Sequence, residues 1–209
     1  MDKRFVIVSA GPAAPELAAA VHPEDFIIAC DAGWKNCEKL GLAPRLVIGD
    51  FDSAPRPDGV KTIVLPHEKD DTDTHYAARW AAEQGARKVL LLGALGGARL
   101  EHTLANLGTA LWLEKQGIRA ELLDARSRIT FAAPGHPRRY RRGAYFYLSL
   151  LPAGGPARGV CASGVRYPLQ DACLQADFPL GVSNEFCADE AEISLREGFL
   201  AVIETKADF

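Results

Sequence analysis

Through the first 125 residues the chain keeps returning to short, continuous apolar runs, "FVIVSA" (5–10), "FIIAC" (26–30), "RLVIG" (45–49), "TIVLP" (62–66) and "KVLLLGAL" (88–95), with "AELLDA" (120–125) as a further strand. None alternates polar with apolar residues. A strand with one wet face alternates, whereas a strand covered on both faces does not, so these runs predict a mostly parallel sheet with helices on its two sides. The segments between them supply the helices. "APELAAAVH", "GWKNCEKLG", "DTDTHYAARWAAEQG" (71–85) and "EHTLANLGTALWLEKQG" (101–117) have helical periodicity, and the last three end in glycine. Strands alternating with helices predict an α/β layer fold.

The pattern changes near residue 128. "RITFAAPG", "YFYLSLLPA", "GVCASGVRYPL", "AEISLREG" and "FLAVIETK" are short, β-rich and punctuated by Gly and Pro. They predict a smaller all-β domain, a sandwich or jelly-roll-like barrel. We therefore expect an α/β domain over 1–128 and a β-sandwich domain over 129–209. The stretch "APGHPRRYRRG" (133–143) reads as a turn or linker. Its arginines, Arg138, Arg139, Arg141 and Arg142, read as a solvated loop, with a phosphate or acidic partner as the alternative.

Composition removes several classes of function. A formal net charge of −3 gives no basic field for nucleic acid. No apolar run approaches the roughly 18 residues that a membrane span needs. The N-terminal "MDKRFVIVSAGPAAPELAAA" has an acid at position 2 and a Gly-Pro turn soon after its apolar run, so it reads as a first strand and loop, not an export signal. The five cysteines are odd in number and form no CxxC pair, which argues against a disulfide framework or a zinc site and favours the cytoplasm.

Carboxylates gather where an α/β sheet binds ligands, at the carboxyl ends of its strands. Asp31 follows "FIIAC", Asp50 and Asp52 follow "RLVIG", and Asp70, Asp71 and Asp73 follow "TIVLPHEK" and open a helix. Each has a plain reading: Asp52 with Ser53 can cap a turn, and Asp71, Thr72 or Asp73 can cap the helix. Together, acids from three strand ends repel one another unless a cation neutralises them. Oxygen ligands suit Mg²⁺, which is commonly held by one or two carboxylates and the phosphates of a substrate. Gly49 permits a sharp turn before Asp50, and Phe51 is expected to point into the core, leaving Asp50 and Asp52 on one side. The chain has neither a P-loop nor a GxGxxG fingerprint. The Gly-rich "GALGGARLEHTLAN" (93–106) follows a strand and opens a helix, where backbone N–H groups can hold phosphate or simply close a tight turn.

The ordered set "DAG…GDFDS…KDDTD…GALGGARLEHTLAN…GVSNEF" resembles the thiamine pyrophosphokinase family over nearly the whole chain. The resemblance implies an α/β catalytic domain followed by a β-sandwich that helps to bind thiamine. It implies transfer of a diphosphoryl group from ATP to the thiamine hydroxyl with Mg²⁺, releasing AMP. It implies Asp50, Asp52 and Asp73 as catalytic, metal and phosphate-site acids, supported by Asp31 and Asp70. It implies Ser183 and Asn184 of "GVSNEF" in the thiamine site and Tyr167 of "GVRYPL" against the thiamine ring, where the alternative is a core tyrosine. A homodimer with its active site at the subunit interface is implied as well. The family usually carries Gly-Gly-Arg-x-Asp-His before its "TLAN" helix. Here "GGARLEH" has one more residue and Glu101 in place of Asp; Arg99 and His102 match and carry over as nucleotide-loop residues, with a structural role as the alternative for His102. Two other readings stay open: a pyrophosphokinase for another hydroxymethyl heterocycle such as a pterin, and a non-catalytic thiamine- or nucleotide-binding protein. A metal-dependent nuclease is disfavoured by the charge.

Overall fold

The computed structural model describes residues 3–52 and 55–207. The chain divides into two units, Met1–Ala125 and Arg126–Phe209.

In the first unit every apolar run becomes a strand: β1 (Arg4–Val8), β2 (Phe26–Cys30), β3 (Leu46–Gly49), β4 (Thr62–Val64), β5 (Lys88–Leu92) and β6 (Arg119–Leu123). Each neighbouring pair is parallel, in the order β4-β3-β2-β1-β5-β6. All four residues of β3, and the last four of β1, β2 and β5, are buried, which is why these runs contain no polar alternation. The edge strand β4 is short and only partly covered. Among the described residues three α-helices complete the unit: α1 (Gly33–Lys39), α2 (Asp73–Glu83) and α3 (Leu100–Lys115). Thr72 caps α2, its Oγ1 accepting from the His75 N–H at 3.1 Å. The fourth expected helix, "APELAAAVH", is a short 3-10 helix at Pro15–Ala20. Pro15 opens it, and Pro23 steers the residue before it away from helical backbone, leaving too little chain for more.

The chain moves outward from β1 through β2 and β3 to β4, then returns to lay β5 on the other side of β1. That reversal opens a crevice at the carboxyl ends of β1 and β5. The two loops there touch closely: Gly11 N–H donates to Gly93 O at 2.9 Å, and a Cβ on Gly11 would lie 2.6 Å from that oxygen. Only glycine permits such an approach.

The second unit is all antiparallel. β7 (Ser127–Ala132), β13 (Leu200–Thr205) and β9 (Tyr147–Pro152) form one sheet in the order β7-β13-β9. β11 (Leu169–Leu174), β10 (Ala157–Ser163), β12 (Glu190–Ser194) and β8 (Arg138–Arg141) form the other, in the order β11-β10-β12-β8. Leu148, Leu150, Leu200 and Val202 from the first meet Val160, Ala162, Ala191 and Ile193 from the second in one core, the expected sandwich. The expected loop at 133–143 is corrected: it contains the edge strand β8. Tyr140 points into the core while Arg139 and Arg141 face out, and Arg139 pairs with Glu190 and Glu192 of β12 at 3.6 and 3.1 Å. Charged residues on an edge strand discourage pairing with other chains.

Candidate active site

The crevice at the strand ends of the first unit is a cleft of about 810 Å³. Its rim is built from the loops after β1 (residues 9–13) and β5 (93–99), the turns after β2 and β3, and the segment 67–74. Buried amides hold these loops in place. Asn36, on α1, donates through Nδ2 to the carbonyls of Ser9 and Gly11, each at 2.8 Å. Asn106, on α3, donates to Ala94 O at 2.8 Å. The hydroxyls of Ser9 and Thr74 meet at 2.8 Å and join the β1 loop to the start of α2. A rim held by satisfied, buried hydrogen bonds is preorganised for a polar ligand.

The acids enter from three directions. Asp31 follows β2 in a left-handed conformation (φ 44°), and its N–H donates to Ile48 O at 2.8 Å. Gly49 is required there, since a Cβ on it would lie 2.9 Å from the Asp31 Cα. Asp50 and Asp52 follow β3. Between them Phe51 packs against the apolar cluster around Val6, Val8 and Val47, as expected, with left-handed backbone (φ 59°). The Asp52 N–H turns back to Asp50 Oδ1 at 3.3 Å. Ser53 lies outside the described residues. Asp73 arrives at the first turn of α2.

Two residues absent from the sequence expectations complete this group. The Lys69 ammonium lies 2.5 Å from Asp50 Oδ2 and 2.9 Å from Asp73 Oδ1. His67 Nδ1 is 3.8 Å from Asp50 Oδ2. Asp50, Asp52 and His67 bring one ligand atom each within 4.8 Å of one another, a set able to hold a metal ion. Asp73 lies outside that set. The hydrogen bond from Lys69 holds the Asp50 carboxyl below its ordinary range. Burial pushes Asp73 up in spite of the same lysine. Burial also works against the Lys69 ammonium, yet its two carboxylate partners carry it above the ordinary lysine value. Lys69 and His67 stand in the "PHEKDD" segment, where a base among acids was the available signal.

The remaining expected residues of this unit differ in placement. Arg99 and His102 both line the cleft. Arg99 bonds Glu101 at 2.7 Å, so the Glu that replaces the family's Asp has its partner two residues away. Asp70 is exposed and outside the lining; Asp71 lines the cleft and pairs with Arg79 at 3.0 Å.

In the second unit Tyr167 is 58% exposed, which rules out the core reading of that ring. Asn184 is buried and grips the tyrosine's main chain. Its Oδ1 accepts from the N–H groups of Tyr167 (3.0 Å) and Glu185 (2.9 Å), and its Nδ2 donates to Tyr167 O at 2.8 Å. The Arg166 guanidinium lies over the Tyr167 ring at 5.7 Å and bonds Glu185 at 2.9 Å. Ser183 is exposed, with left-handed backbone (φ 59°) and its N–H on Ser149 Oγ at 3.0 Å.

Residues 17–122 match the model of the family "Thiamin pyrophosphokinase, catalytic domain", and residues 138–200 match "Thiamin pyrophosphokinase, vitamin B1 binding domain". The chain belongs to the thiamine pyrophosphokinase family. The thiamine pyrophosphokinase of Bacillus subtilis is 26% identical, with 97% of this chain and 99% of that protein covered. The crystal structure of a thiamine pyrophosphokinase from Bacillus subtilis superposes with a TM-score of 0.89 at 26% identity, covering 99% of this chain and 100% of the other. A thiamin pyrophosphokinase structure from Geobacillus thermodenitrificans gives a TM-score of 0.85 at 28% identity, with 98% of each chain covered.

Proposed function

We propose that the protein is a thiamine diphosphokinase: it transfers the diphosphoryl group of ATP to the hydroxyl of thiamine, giving thiamine diphosphate and AMP. The observation that carries this reading is the convergence of Asp31, Asp50, Asp52 and Asp73 from separate strand ends on one cleft, in a chain of this family. The thiamine oxygen attacks the β-phosphorus in line. The bond from that phosphorus to the α,β-bridging oxygen breaks, and AMP leaves with the oxygen. The hydroxyl proton leaves as the new P–O bond forms.

The donor set supports a metal. Two carboxylates and an imidazole, each offering one ligand atom, suit a divalent cation, and the carboxylate oxygens suit Mg²⁺. Asp50 and Asp52 would hold it, with His67 beside them. Bound there, Mg²⁺ supplies charge neutralisation for the polyphosphate. The chain's own groups orient the nucleotide. Gly96, Gly97 and Arg99 of the 93–99 loop line the cleft together with Lys69 and Asp73, and the loop's backbone N–H groups and these side chains would meet the phosphates. Asp31 supports the acidic rim, and His102 extends the nucleotide loop.

The β-sandwich unit would supply the acceptor side. Tyr167 offers an exposed aromatic face to a flat, cationic heterocycle, and Ser183 a small hydroxyl. This reading includes a homodimer with the active site at the subunit interface, as the family resemblance implies, and a place in the cytoplasm. Five free cysteines fit a reducing compartment, and among the described residues no helix is long and apolar enough to cross a membrane.

The test is a product assay with ATP, Mg²⁺ and thiamine, resolved by chromatography. Equal amounts of AMP and thiamine diphosphate are expected. Thiamine bound without AMP formed would indicate a binding protein, and AMP formed only with another heterocyclic alcohol would move the acceptor.

A further inference from the structure

Lys69 sits where a cation is needed and where a bound metal would be its neighbour. Its ammonium is shared by Asp50 and Asp73, which arrive from different strand ends, and the three side chains are only 16%, 12% and 18% exposed. Asp50 has both oxygens engaged, Oδ2 by Lys69 and Oδ1 by the Asp52 N–H. The same Asp50 belongs to the group able to take a metal with Asp52 and His67. A divalent cation on Asp50 therefore arrives next to a resident ammonium, and like charges at such distances repel strongly where solvent is sparse. Lysine carries its charge on a flexible stem and can re-aim it without moving the backbone. The same cleft is lined by Gly96, Gly97 and Arg99, from the loop expected to meet phosphates.

We propose that Lys69 is a phosphate-binding residue held in reserve between Asp50 and Asp73, and that metal binding at Asp50 releases it to the polyphosphate of the nucleotide. The inference rests on the nucleotide-and-metal reading of the cleft given above. In the free protein the ammonium neutralises part of the acidic rim and competes with the metal. When metal and nucleotide enter together, the metal takes over the Asp50 carboxylate and the ammonium takes a phosphate oxygen. Metal binds weakly alone and tightly with nucleotide. By linkage, nucleotide affinity rises with metal by the same factor.

This gives two effects of opposite sign for one substitution, which general destabilisation cannot produce. Mn²⁺ binding is read by the loss of its free electron-spin resonance signal, with and without the ATP analogue that has a methylene between its α and β phosphorus atoms. Lys69→Met is expected to bind Mn²⁺ on the order of tenfold tighter in the absence of nucleotide. In the presence of Mn²⁺ it is expected to bind the analogue on the order of tenfold more weakly. The coupling between the two ligands falls accordingly. Lys69→Gln repeats both measurements should the Met variant fold poorly, with a circular-dichroism melt as the control. A variant that binds Mn²⁺ no tighter than wild type overturns the proposal, and so does an unchanged affinity for the analogue. Both measurements read binding. Wild-type protein that binds Mn²⁺ and the analogue without making thiamine diphosphate would therefore count against the proposed acceptor and leave the role of Lys69 standing. Wild-type protein that binds neither would overturn both.

Discussion

Replacing Asp50 by Asn preserves the shape of the side chain and removes the charge that Lys69 and the proposed metal both use. Asp50→Asn should lower turnover by about two to three orders of magnitude, because a preorganised charge at the transferring phosphates is lost. Its thermal melt should stay near that of wild type; near-wild-type turnover would remove Asp50 from the phosphate site. At Tyr167 the prediction concerns coupling. Tyr167→Ala should raise the thiamine KM about tenfold by removing the ring. Asn184→Ala should raise it as well, since the three hydrogen bonds of the buried amide go to backbone, two of them to Tyr167. In the double variant the second change should add little. Additive effects would instead make Asn184 a direct thiamine ligand, the role that the family resemblance implies. The sequence made the acids legible because strand ends in an α/β sheet share one rim. It did not reveal Lys69 or His67, whose reach to Asp50 depends on the path of the 67–72 segment, and no periodicity encodes that path. Nor could it distinguish an amide that meets ligand from one that is buried holding backbone.

The strands were legible for a simple reason. Burial on both faces leaves an unbroken apolar run, and β1, β2, β3 and β5 are such runs. β8 was hidden because its outward positions are arginines, so its single inward Tyr140 read as part of a basic loop. β13 hides a different feature. Glu204 lies in its buried stretch with a side chain of zero exposure, and Arg128 of β7, its register partner, binds it through Nε and Nη2 at 2.6 and 2.7 Å. The guanidinium also lies over the Tyr145 ring at 5.0 Å. Removing one member of such a pair strands a buried charge. Arg128→Ala should therefore destabilise the protein by about 3 kcal/mol, read as a lower urea midpoint. Arg128→Met combined with Glu204→Leu should recover most of the loss, since well-packed apolar residues commonly replace a buried pair without penalty. A double variant as unstable as the single one would show that the pair does more than offset its own burial.

Across the whole molecule the cysteines divide by unit, and this makes a chemical probe of each. Cys30 and Cys37 are buried in the α/β unit, on β2 and α1; Cys161, Cys173 and Cys187 are exposed in the β-sandwich unit. Burial pushes the Cys37 thiol up to about 12 and raises Cys30 well above the ordinary thiol value, with Asp73 adding to the rise at Cys30. A thiol is nucleophilic as its thiolate, so both buried groups lack reach and charge at neutral pH. Ellman's reagent should therefore titrate three thiols in the native protein and five after denaturation. Each of the two late thiols can react only as fast as the α/β unit opens around it. If the cleft binds nucleotide with metal, the ligand stabilises that unit by mass action and slows the late phase. The early phase reports the exposed thiols and should not depend on that opening. Rapid reaction of Cys30 in the native protein would mean that the floor of the cleft, between Asp31 and Asp73, is open to a reagent the size of Ellman's.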